Sequence, residues 1–239
     1  MIQSKINTLK RWIDESNNIV FFGGAGVSTE SGIPDFRSVD GLYHMNYKYP
    51  PDTILSHSFF MHKTEEFYSF YKDKMISTEA IPNITHRKLA DLESAGKLKG
   101  VITQNIDGLH QKAGSNIVLE LHGSVLRNYC MKCGKSYNEK DILSSTAIPK
   151  CVCGGIIKPD VVLYEEGLDD TIVSEAIKLI SHAEVLIIGG TSLSVYPAAG
   201  MIKYYKGDKM VLINKSPTQY DEVANLLINE GIGEVFASI

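Results

Sequence analysis

The chain has 239 residues, of which 44% are hydrophobic and 22% are charged, and its formal net charge is −4. This length is enough for one large buried core and a small additional module. Binding to nucleic acid would require a basic face, and no block of Lys or Arg stands out, so we expect no nucleic-acid partner. Residues 2–17 lack the continuous apolar stretch of a signal peptide, and no apolar run approaches the ~20 residues of a membrane span. We therefore expect a cytoplasmic protein without membrane contact.

In chain order, the apolar pattern predicts strands that alternate with helices. An amphipathic helix over residues 2–17, with Ile6, Leu9 and Ile13 at helical spacing, precedes a buried strand over 18–22. The further predicted strands are 100–103, 118–121, 161–164, 184–189 and 210–214, with helices at 85–94 and 171–181. This alternation predicts an α/β fold, a doubly wound, Rossmann-like parallel sheet covered by helices on both faces.

Two segments interrupt the alternation. Residues 39–80 contain aromatic and charged helical patterns, including 65–75, and predict a helical insertion. Residues 125–158 are polar, contain all four cysteines and have too little apolar surface for a core of their own, which predicts a small zinc-binding module. The Rossmann-like domain then consists of residues 1–38, 81–124 and 159–239.

A glycine-rich turn follows the first predicted strand. Gly23, Gly24 and Gly26 come directly after it, and residues 27–31 are predicted to begin a helix. A dinucleotide fold needs glycines here, because a tight turn lets pyrophosphate approach the helix N-terminus. The G-x-G-x-x-G fingerprint is incomplete, since Thr29 occupies its last position, and no acidic residue ends a second strand further on. Taken alone, the glycines leave a cofactor site and a structural turn about equally open.

Small and polar residues also follow four other predicted strands, at 104–107, 122–124, 189–192 and 214–215. Because the carboxyl ends of parallel strands meet at one edge of a sheet, these residues predict a ligand crevice there. A lone histidine is more often structural, but His122 stands at a strand end beside other polar groups. It is therefore a candidate general acid or base.

The four cysteines lie within 24 residues, as Cys130-x-x-Cys133 and, after 17 intervening residues, Cys151-x-Cys153. Clustered thiols in a reducing compartment are more often metal ligands than disulfides, and two close pairs can surround one tetrahedral Zn²⁺. The second pair is one residue shorter than the usual C-x-x-C, so a redox-active or unbound pair is the alternative. Four thiolates would close the coordination sphere, which makes the predicted zinc structural.

Five short motifs occur together in one order along the chain. They are residues 24–28 (GAGVS), 33–37 (IPDFR), 103–110 (TQNIDGLH), 121–124 (LHGS) and 190–193 (GTSL). In this order, and combined with the cysteine cluster, they resemble a bacterial sirtuin over nearly the whole length. Sirtuins are NAD-dependent protein-lysine deacylases.

The resemblance implies a set of site residues. His122, Asn105 and Asp107 would be catalytic, with His122 as the base for a ribose hydroxyl. The positions that would bind NAD are Gly24, Ala25, Gly26, Ser28, Thr29, Phe36, Arg37, Gln104, Asn105, Ile106, Asp107, His122, Gly190, Thr191, Ser192, Asn214, Lys215 and Ile232. The positions between which an acyl-lysine peptide would add as a strand are Val161, Val162, Leu163, Tyr164, Ser194 and Val195. The four cysteines would hold one structural zinc ion.

The implied reaction removes acetyl and similar uncharged acyl groups from protein lysines, with NAD as co-substrate, and yields nicotinamide, O-acyl-ADP-ribose and free lysine. The alternatives are mono-ADP-ribosyl transfer, a preference for succinyl or malonyl lysine, and an NAD sensor without turnover. The presence of His122 and Asn105 favours deacylation. Tyr71-x-x-Lys74 stands in place of the Tyr-x-x-Arg pair of succinyl-preferring sirtuins, which favours uncharged acyl groups. Glu165 departs from the family pattern, because a glycine commonly follows the substrate strand.

Overall fold

The computed structural model describes residues 2–36, 41–44 and 47–239. Its strands are β1 Ile19–Gly23, β2 Leu98–Thr103, β3 Val118–Glu120, β4 Gly123–Cys130, β5 Ser136–Tyr137, β6 Ile157–Val161, β7 Val185–Gly189, β8 Met210–Ile213 and β9 Leu226–Ile228. Its helices are α1 Ile2–Glu15, α2 Pro51–Ile54, α3 His57–His62, α4 Thr64–Lys74, α5 Ile84–Ser94, α6 Leu109–Ala113, α7 Glu139–Leu143, α8 Asp170–His182 and α9 Ile232–Ala237. In this described part of the chain, no helix has the length and apolar character needed to cross a bilayer.

The larger sheet has the order β3-β2-β1-β7-β8-β9, and all of its neighbouring strands are parallel. Strands β2 and β3 therefore extend the sheet on one side of β1, and strands β7, β8 and β9 extend it on the other side. This is the doubly wound arrangement in which ligands bind where the strand order reverses. The predicted fold class is confirmed, and β9 is the one strand of this sheet that the apolar pattern did not predict.

Both faces of this sheet are buried, which explains why its strands are continuously apolar. Phe21 and Ile187 pack in a core with residues of α1, α5 and α9. Their neighbours Phe22 and Ile188 point to the opposite face and pack with residues of α8, including Ile180. Successive strand residues alternate between faces, so a strand covered by helices on both sides needs an apolar residue at every position.

Side-chain caps fix where two of the predicted helices begin. The Asn83 side chain accepts a hydrogen bond from Thr85 N–H at 3.0 Å, one residue before α5. The Asp169 carboxylate accepts from Thr171 N–H at 2.8 Å before α8. Such caps satisfy amide donors that have no partner inside the helix. The cap on α5 also includes His86, whose Nδ1 accepts from Asn83 N–H at 3.3 Å.

The prediction of a parallel strand over 161–164 was wrong. The strand β6 spans Ile157–Val161 and pairs antiparallel with β4 in a separate sheet of order β5-β4-β6. Beyond it, Tyr164 forms only an isolated bridge with Ser56. The apolar residues of this segment are buried in the core of the helical insertion, so their burial did not require a place in the main sheet.

The helical insertion and the cysteine-bearing segment share one core. Phe60, Phe67 and Tyr71 of the insertion pack in the same cluster as Val125 and Ile157. Neither segment is large enough to bury a core alone, so the two segments bury their apolar side chains against each other. We keep the bounds 39–80 and 125–158 as proposals for the two segments.

Candidate active site

Three strand ends meet at the point where the strand order reverses. Gly23 at the end of β1 lies opposite Thr103 of β2 on one side and Gly189 of β7 on the other. The loops that follow these three strands therefore start side by side at one edge of the sheet. This register, rather than nearness in sequence, brings the predicted site residues together.

The glycines of the β1 and β7 loops are required by contact between the loops. Gly26 N–H donates to the Gly190 carbonyl at 2.8 Å. A Cβ atom on Gly24 would lie 2.8 Å from Thr191 Cβ, and one on Gly26 would lie 2.9 Å from Gly190 Cα. A larger residue at either position would push the two loops apart. Glycine backbone in such loops also allows a nucleotide to approach closely.

The helix predicted to begin at residues 27–31 is not present. Two short 3₁₀ turns, Ala25–Val27 and Thr29–Ser31, occupy this stretch and end at Gly32, which has a left-handed conformation (φ 83°). Ser28 lies between the turns, and its side chain points inward to polar partners. The local sequence favoured a helix start, but these tertiary contacts determine the loop instead.

Ser28, Asn105 and Asp107 form one buried polar chain. The Ser28 hydroxyl donates to Asp107 Oδ2 at 2.7 Å and accepts from the Asn105 side-chain amide at 3.0 Å. Leu109 N–H donates to Asp107 Oδ1 at 2.9 Å where α6 begins. Burial raises the pKa of Asp107, and the bonds from Leu109 and Ser28 oppose this rise. These bonds hold the Asn105 amide and the Asp107 carboxyl group in fixed orientations.

His122 has a defined tautomer. Its Nδ1 lies 3.0 Å from the Gln104 carbonyl oxygen. A carbonyl oxygen only accepts, so Nδ1 carries the proton and Nε2 is left with a free lone pair. Burial lowers the pKa of His122, and the bond to Gln104 opposes this shift. The neutral imidazole, with Nε2 able to take up a proton, is therefore favoured near pH 7.

The residue after His122 must be glycine. Gly123 has a positive φ of 72°, and a Cβ atom there would overlap the Asp160 carbonyl oxygen. This close approach lets β4 turn away from the main sheet and pair with β6. As a result, the His122 carbonyl accepts a hydrogen bond from Val162 N–H at 3.0 Å. His122 is thus in contact with both the β2 loop and the predicted substrate segment.

Other predicted NAD positions lie along the same edge. The Gln104 amide donates to the Thr191 hydroxyl at 3.0 Å, which links the β2 and β7 loops. Asn214 follows β8, and its amide donates to the Ser216 carbonyl at 2.8 Å. Ile232 is buried at the start of α9 and packs directly over Gly189. The remaining predicted positions on these loops are Ile106, Ser192 and Lys215.

The predicted residues of the β1 loop are only partly placed. The Thr29 hydroxyl is exposed and donates to the Gly26 carbonyl at 3.1 Å. Phe36 is half-buried, and its ring centroid lies 6.2 Å from that of Tyr43. Arg37 lies outside the described residues.

The two predicted substrate segments carry exposed residues at their ends. Tyr164 N–H donates to the Leu55 carbonyl at 3.0 Å, so the end of segment 161–164 is held by the insertion. On the other segment, the hydroxyls of Ser192 and Ser194 lie 2.6 Å apart. Val195 accepts a backbone bond from Ala199 at 2.9 Å.

The sequence did not identify His86 as a neighbour of the site. Its Nδ1 accepts from Asn83 N–H at 3.3 Å, so Nε2 carries the proton and lies 3.5 Å from the Ser28 hydroxyl oxygen. His110 packs against it, with ring centroids 4.7 Å apart. The Asn83 cap could have been read from the sequence, but the contact between α5 and the β1 loop could not.

The four cysteines form a cluster that fits zinc. Their sulfur atoms all lie within 4.8 Å of one another, and all four thiols are free. The Cys130–Cys153 and Cys133–Cys151 sulfur separations are 3.5 and 3.6 Å. Tetrahedral Zn²⁺ with bonds of about 2.3 Å requires sulfur atoms about 3.8 Å apart, so the donor set fits. A Cβ atom on Gly155 would lie 2.7 Å from Cys130 Sγ, which explains how glycine lets the short pair close the site.

The parallel sheet, the paired glycine loops and the four-cysteine cluster define a Rossmann-like dinucleotide-binding protein with a zinc module. The Sir2 family model matches residues 24–197. A Clostridium acetobutylicum protein named NAD-dependent protein deacetylase is 60% identical and aligns with 100% of this chain and 99% of its own length. A Staphylococcus aureus (strain NCTC 8325) protein of the same name is 45% identical over 98% of this chain and 97% of its own length. The chain belongs to the Sir2 family.

Solved structures agree with this assignment. Sir2 with p53 peptide and NAD⁺ superimposes with a TM-score of 0.85 at 39% identity, covering 97% of this chain and 95% of that one. Sir2 bound to acetylated peptide gives the same TM-score, identity and coverage.

Proposed function

We propose that this protein is an NAD-dependent protein-lysine deacylase that removes acetyl and similar uncharged acyl groups. The observation that carries the proposal is the position of His122. Its imidazole is fixed by the Gln104 carbonyl, and its own carbonyl binds Val162 N–H at 3.0 Å. One residue therefore connects the predicted NAD crevice with the predicted peptide segment, and its free Nε2 can act as a base between them.

NAD, when bound, supplies the activated ribose to which the acyl group is transferred. The glycine loops would accept its pyrophosphate, and Asn105 and Asp107 would orient the nicotinamide half from below. The Ser28 hydroxyl holds both side chains, so neither has to reorganise when the ligand binds. His122 Nε2 would remove the proton of a ribose hydroxyl.

The acyl-lysine peptide would bind as a strand between segments 161–164 and 194–195. Main-chain pairing of this kind gives affinity with little dependence on peptide sequence. The zinc ion would be structural, because four thiolates leave no position for water or substrate. It would hold the far end of β4, whose first residue is Gly123 beside His122. Free, clustered thiols are typical of a reducing compartment, and we propose a cytoplasmic location.

The experiment is mass spectrometry of an acetyl-lysine peptide incubated with the protein, with and without NAD. We expect the acetyl group to be lost only with NAD, together with one equivalent each of nicotinamide and O-acetyl-ADP-ribose. Transfer of ADP-ribose to the peptide or the protein, without loss of acetyl, would contradict the proposal and indicate ADP-ribosyl transfer.

A further inference from the structure

Glu165 has an unusual backbone conformation. Among the described residues other than glycine, only Glu165 (φ 75°) and Leu193 (φ 51°) have a positive φ. In this left-handed region a side chain crowds the backbone, so the position favours glycine. Glu165 directly follows segment 161–164, on which we propose that the peptide pairs. A strained residue at this place needs a compensating interaction.

The Glu165 carboxylate supplies that interaction. Its Oε2 accepts from Ser58 N–H at 2.8 Å and from the Ser58 hydroxyl at 2.6 Å. Ser58 lies in the first turn of α3, in the helical insertion. The two bonds from Ser58 lower the pKa of Glu165, so its carboxylate is charged at neutral pH. A glycine would adopt the same φ without strain but could not form either bond.

The segment before Glu165 is attached at both of its ends. Val162 N–H donates to the His122 carbonyl at 3.0 Å. At the other end, Tyr164 N–H donates to the Leu55 carbonyl at 3.0 Å, and His57 N–H donates to the Tyr164 carbonyl at 2.9 Å. Glu165 adds a side-chain connection to this second attachment. If the connection were lost, relaxation of the strained φ would move Tyr164 relative to α3.

A second carboxylate holds the segment from within. Glu166 Oε2 accepts from Leu163 N–H at 2.9 Å and from buried Lys158 Nζ at 3.1 Å. Glu166 N–H in turn donates to the Leu163 carbonyl at 3.0 Å. These bonds shape the turn itself. Glu166 Oε1 also lies 2.8 Å from His57 Nδ1, so both carboxylates connect the turn to α3, Glu166 through His57 and Glu165 through Ser58.

We propose that Glu165 is a positioning residue for the acyl-lysine peptide, because its carboxylate ties substrate segment 161–164 to helix α3. This inference rests on the proposed function. A strand that adds to an already fixed edge loses less conformational freedom than one that adds to a mobile edge. Peptide affinity therefore depends on the connection to Ser58, whereas NAD affinity does not.

The experiment compares the wild type with Glu165→Gly, Glu165→Ala, Glu165→Gln and Ser58→Ala. The KM for an acetyl-lysine peptide is measured at saturating NAD, the KM for NAD is measured at saturating peptide, and Tm is measured for each protein.

Glu165→Ala loses the connection to Ser58 but keeps the strained backbone, and we expect its peptide KM to rise about fivefold. Glu165→Gly loses the connection but also removes the strain, so we expect a smaller rise in peptide KM than in Glu165→Ala, of about threefold. Glu175→Ala, an exposed substitution on α8, is the matched control.

The conservative variants separate positioning from other roles. Glu165→Gln keeps an oxygen that can accept from Ser58, so its peptide KM should stay within about twofold of the wild type. Ser58→Ala should raise the peptide KM to a value between those of the wild type and Glu165→Ala. It should cause no further rise when combined with Glu165→Gly. An unchanged peptide KM in Glu165→Ala would overturn the proposal. Equal rises in both KM values would also overturn it, as would a loss in Glu165→Gln equal to that in Glu165→Ala. Absence of deacetylation by the wild type would instead contradict the proposed function.

Discussion

The Nδ1–H group of His122 donates a hydrogen bond to the carbonyl oxygen of Gln104 at 3.0 Å, and this bond leaves Nε2 as the basic nitrogen of the imidazole. Gln104 also anchors its loop through its own N–H, which donates to the Gly23 carbonyl at 3.0 Å. The base is thus fixed to the loop that we propose to bind NAD. Movement of that loop would move the base with it.

Replacing His122 by alanine should lower kcat by about 100-fold or more, the usual scale for losing a general base. The fold should survive, because the imidazole bonds one backbone carbonyl and is only half-buried. Steady-state deacetylation and circular dichroism check this, with exposed His182→Ala as control. A folded His122→Ala protein with near-normal NAD-dependent deacetylation would contradict the assignment.

Ser28→Ala should lower kcat/KM by about 10- to 100-fold. The substitution leaves the Asn105 amide and one Asp107 oxygen without their shared partner, which frees both side chains to rotate. The measurement is kcat/KM for NAD at saturating peptide. Ser174→Ala, exposed on α8, should leave kcat/KM unchanged. A Ser28→Ala value within twofold of the wild type would show that the polar chain does not orient these groups.

Acid should destabilise the protein through two buried histidines. Burial lowers the pKa of His86 to about 4, and burial together with the neighbouring His86 lowers that of His110 to about 3. The unfolded chain protonates both imidazoles below pH ~6.5. The free energy of unfolding is therefore highest above that pH and falls as the pH drops toward 4, by about 1 kcal/mol per histidine between about pH 7.5 and 5.5.

The variant His110→Leu isolates one of these contributions, since both ring nitrogens of His110 are buried and have no hydrogen-bond partner among the residues that the structure describes. Urea unfolding at the two pH values should show a smaller decrease for His110→Leu than for the wild type. Exposed His182→Ala should show the wild-type decrease. Equal decreases in His110→Leu and the wild type would mean that His110 does not remain neutral in the folded state.

The purified protein should contain one zinc ion per chain. The chain has four cysteines, so thiol titration should find about four reactive groups only after denaturation with a chelator. Cys133→Ala should lose the metal and lower Tm by about 5 °C or more. The exposed substitution Ser136→Ala should keep the bound zinc and the wild-type Tm. Protein without stoichiometric zinc by elemental analysis, and with unchanged stability in a strong chelator, would contradict the zinc assignment.

Acetyl-lysine should be a better substrate than succinyl-lysine by about tenfold or more in kcat/KM. The Tyr71 ring is fully buried and stacks on Phe67 with centroids 5.4 Å apart, and Lys74 Nζ is paired with Asp73 at 2.9 Å. A succinyl carboxylate would be buried without a bidentate partner, and a tenfold difference corresponds to about 1.4 kcal/mol. Acetyl and succinyl forms of one peptide are compared. A succinyl preference abolished by Lys74→Ala would contradict this expectation.

The sequence alone predicted five of the six strands of the parallel sheet and the cluster of four cysteines. The apolar runs at 18–22 and 184–189 predicted β1 and β7, because a strand buried on both faces requires an apolar residue at every position. Two residues separate Cys130 from Cys133, one residue separates Cys151 from Cys153, and two glycines directly follow the second pair. Features of this kind depend on neighbouring residues, so a local pattern is sufficient to predict them.

Only the tertiary structure decided the polar chain and the backbone of the β1 loop. Ser28 and Asp107 are 79 residues apart, and their 2.7 Å bond exists because β1 and β2 are in register at Gly23 and Thr103. The inward contacts of Ser28 replace the predicted helix by two 3₁₀ turns. Likewise, the left-handed φ of Glu165 is stabilised by Ser58, 107 residues away. Such contacts depend on strand register and loop closure, which no local window of sequence contains.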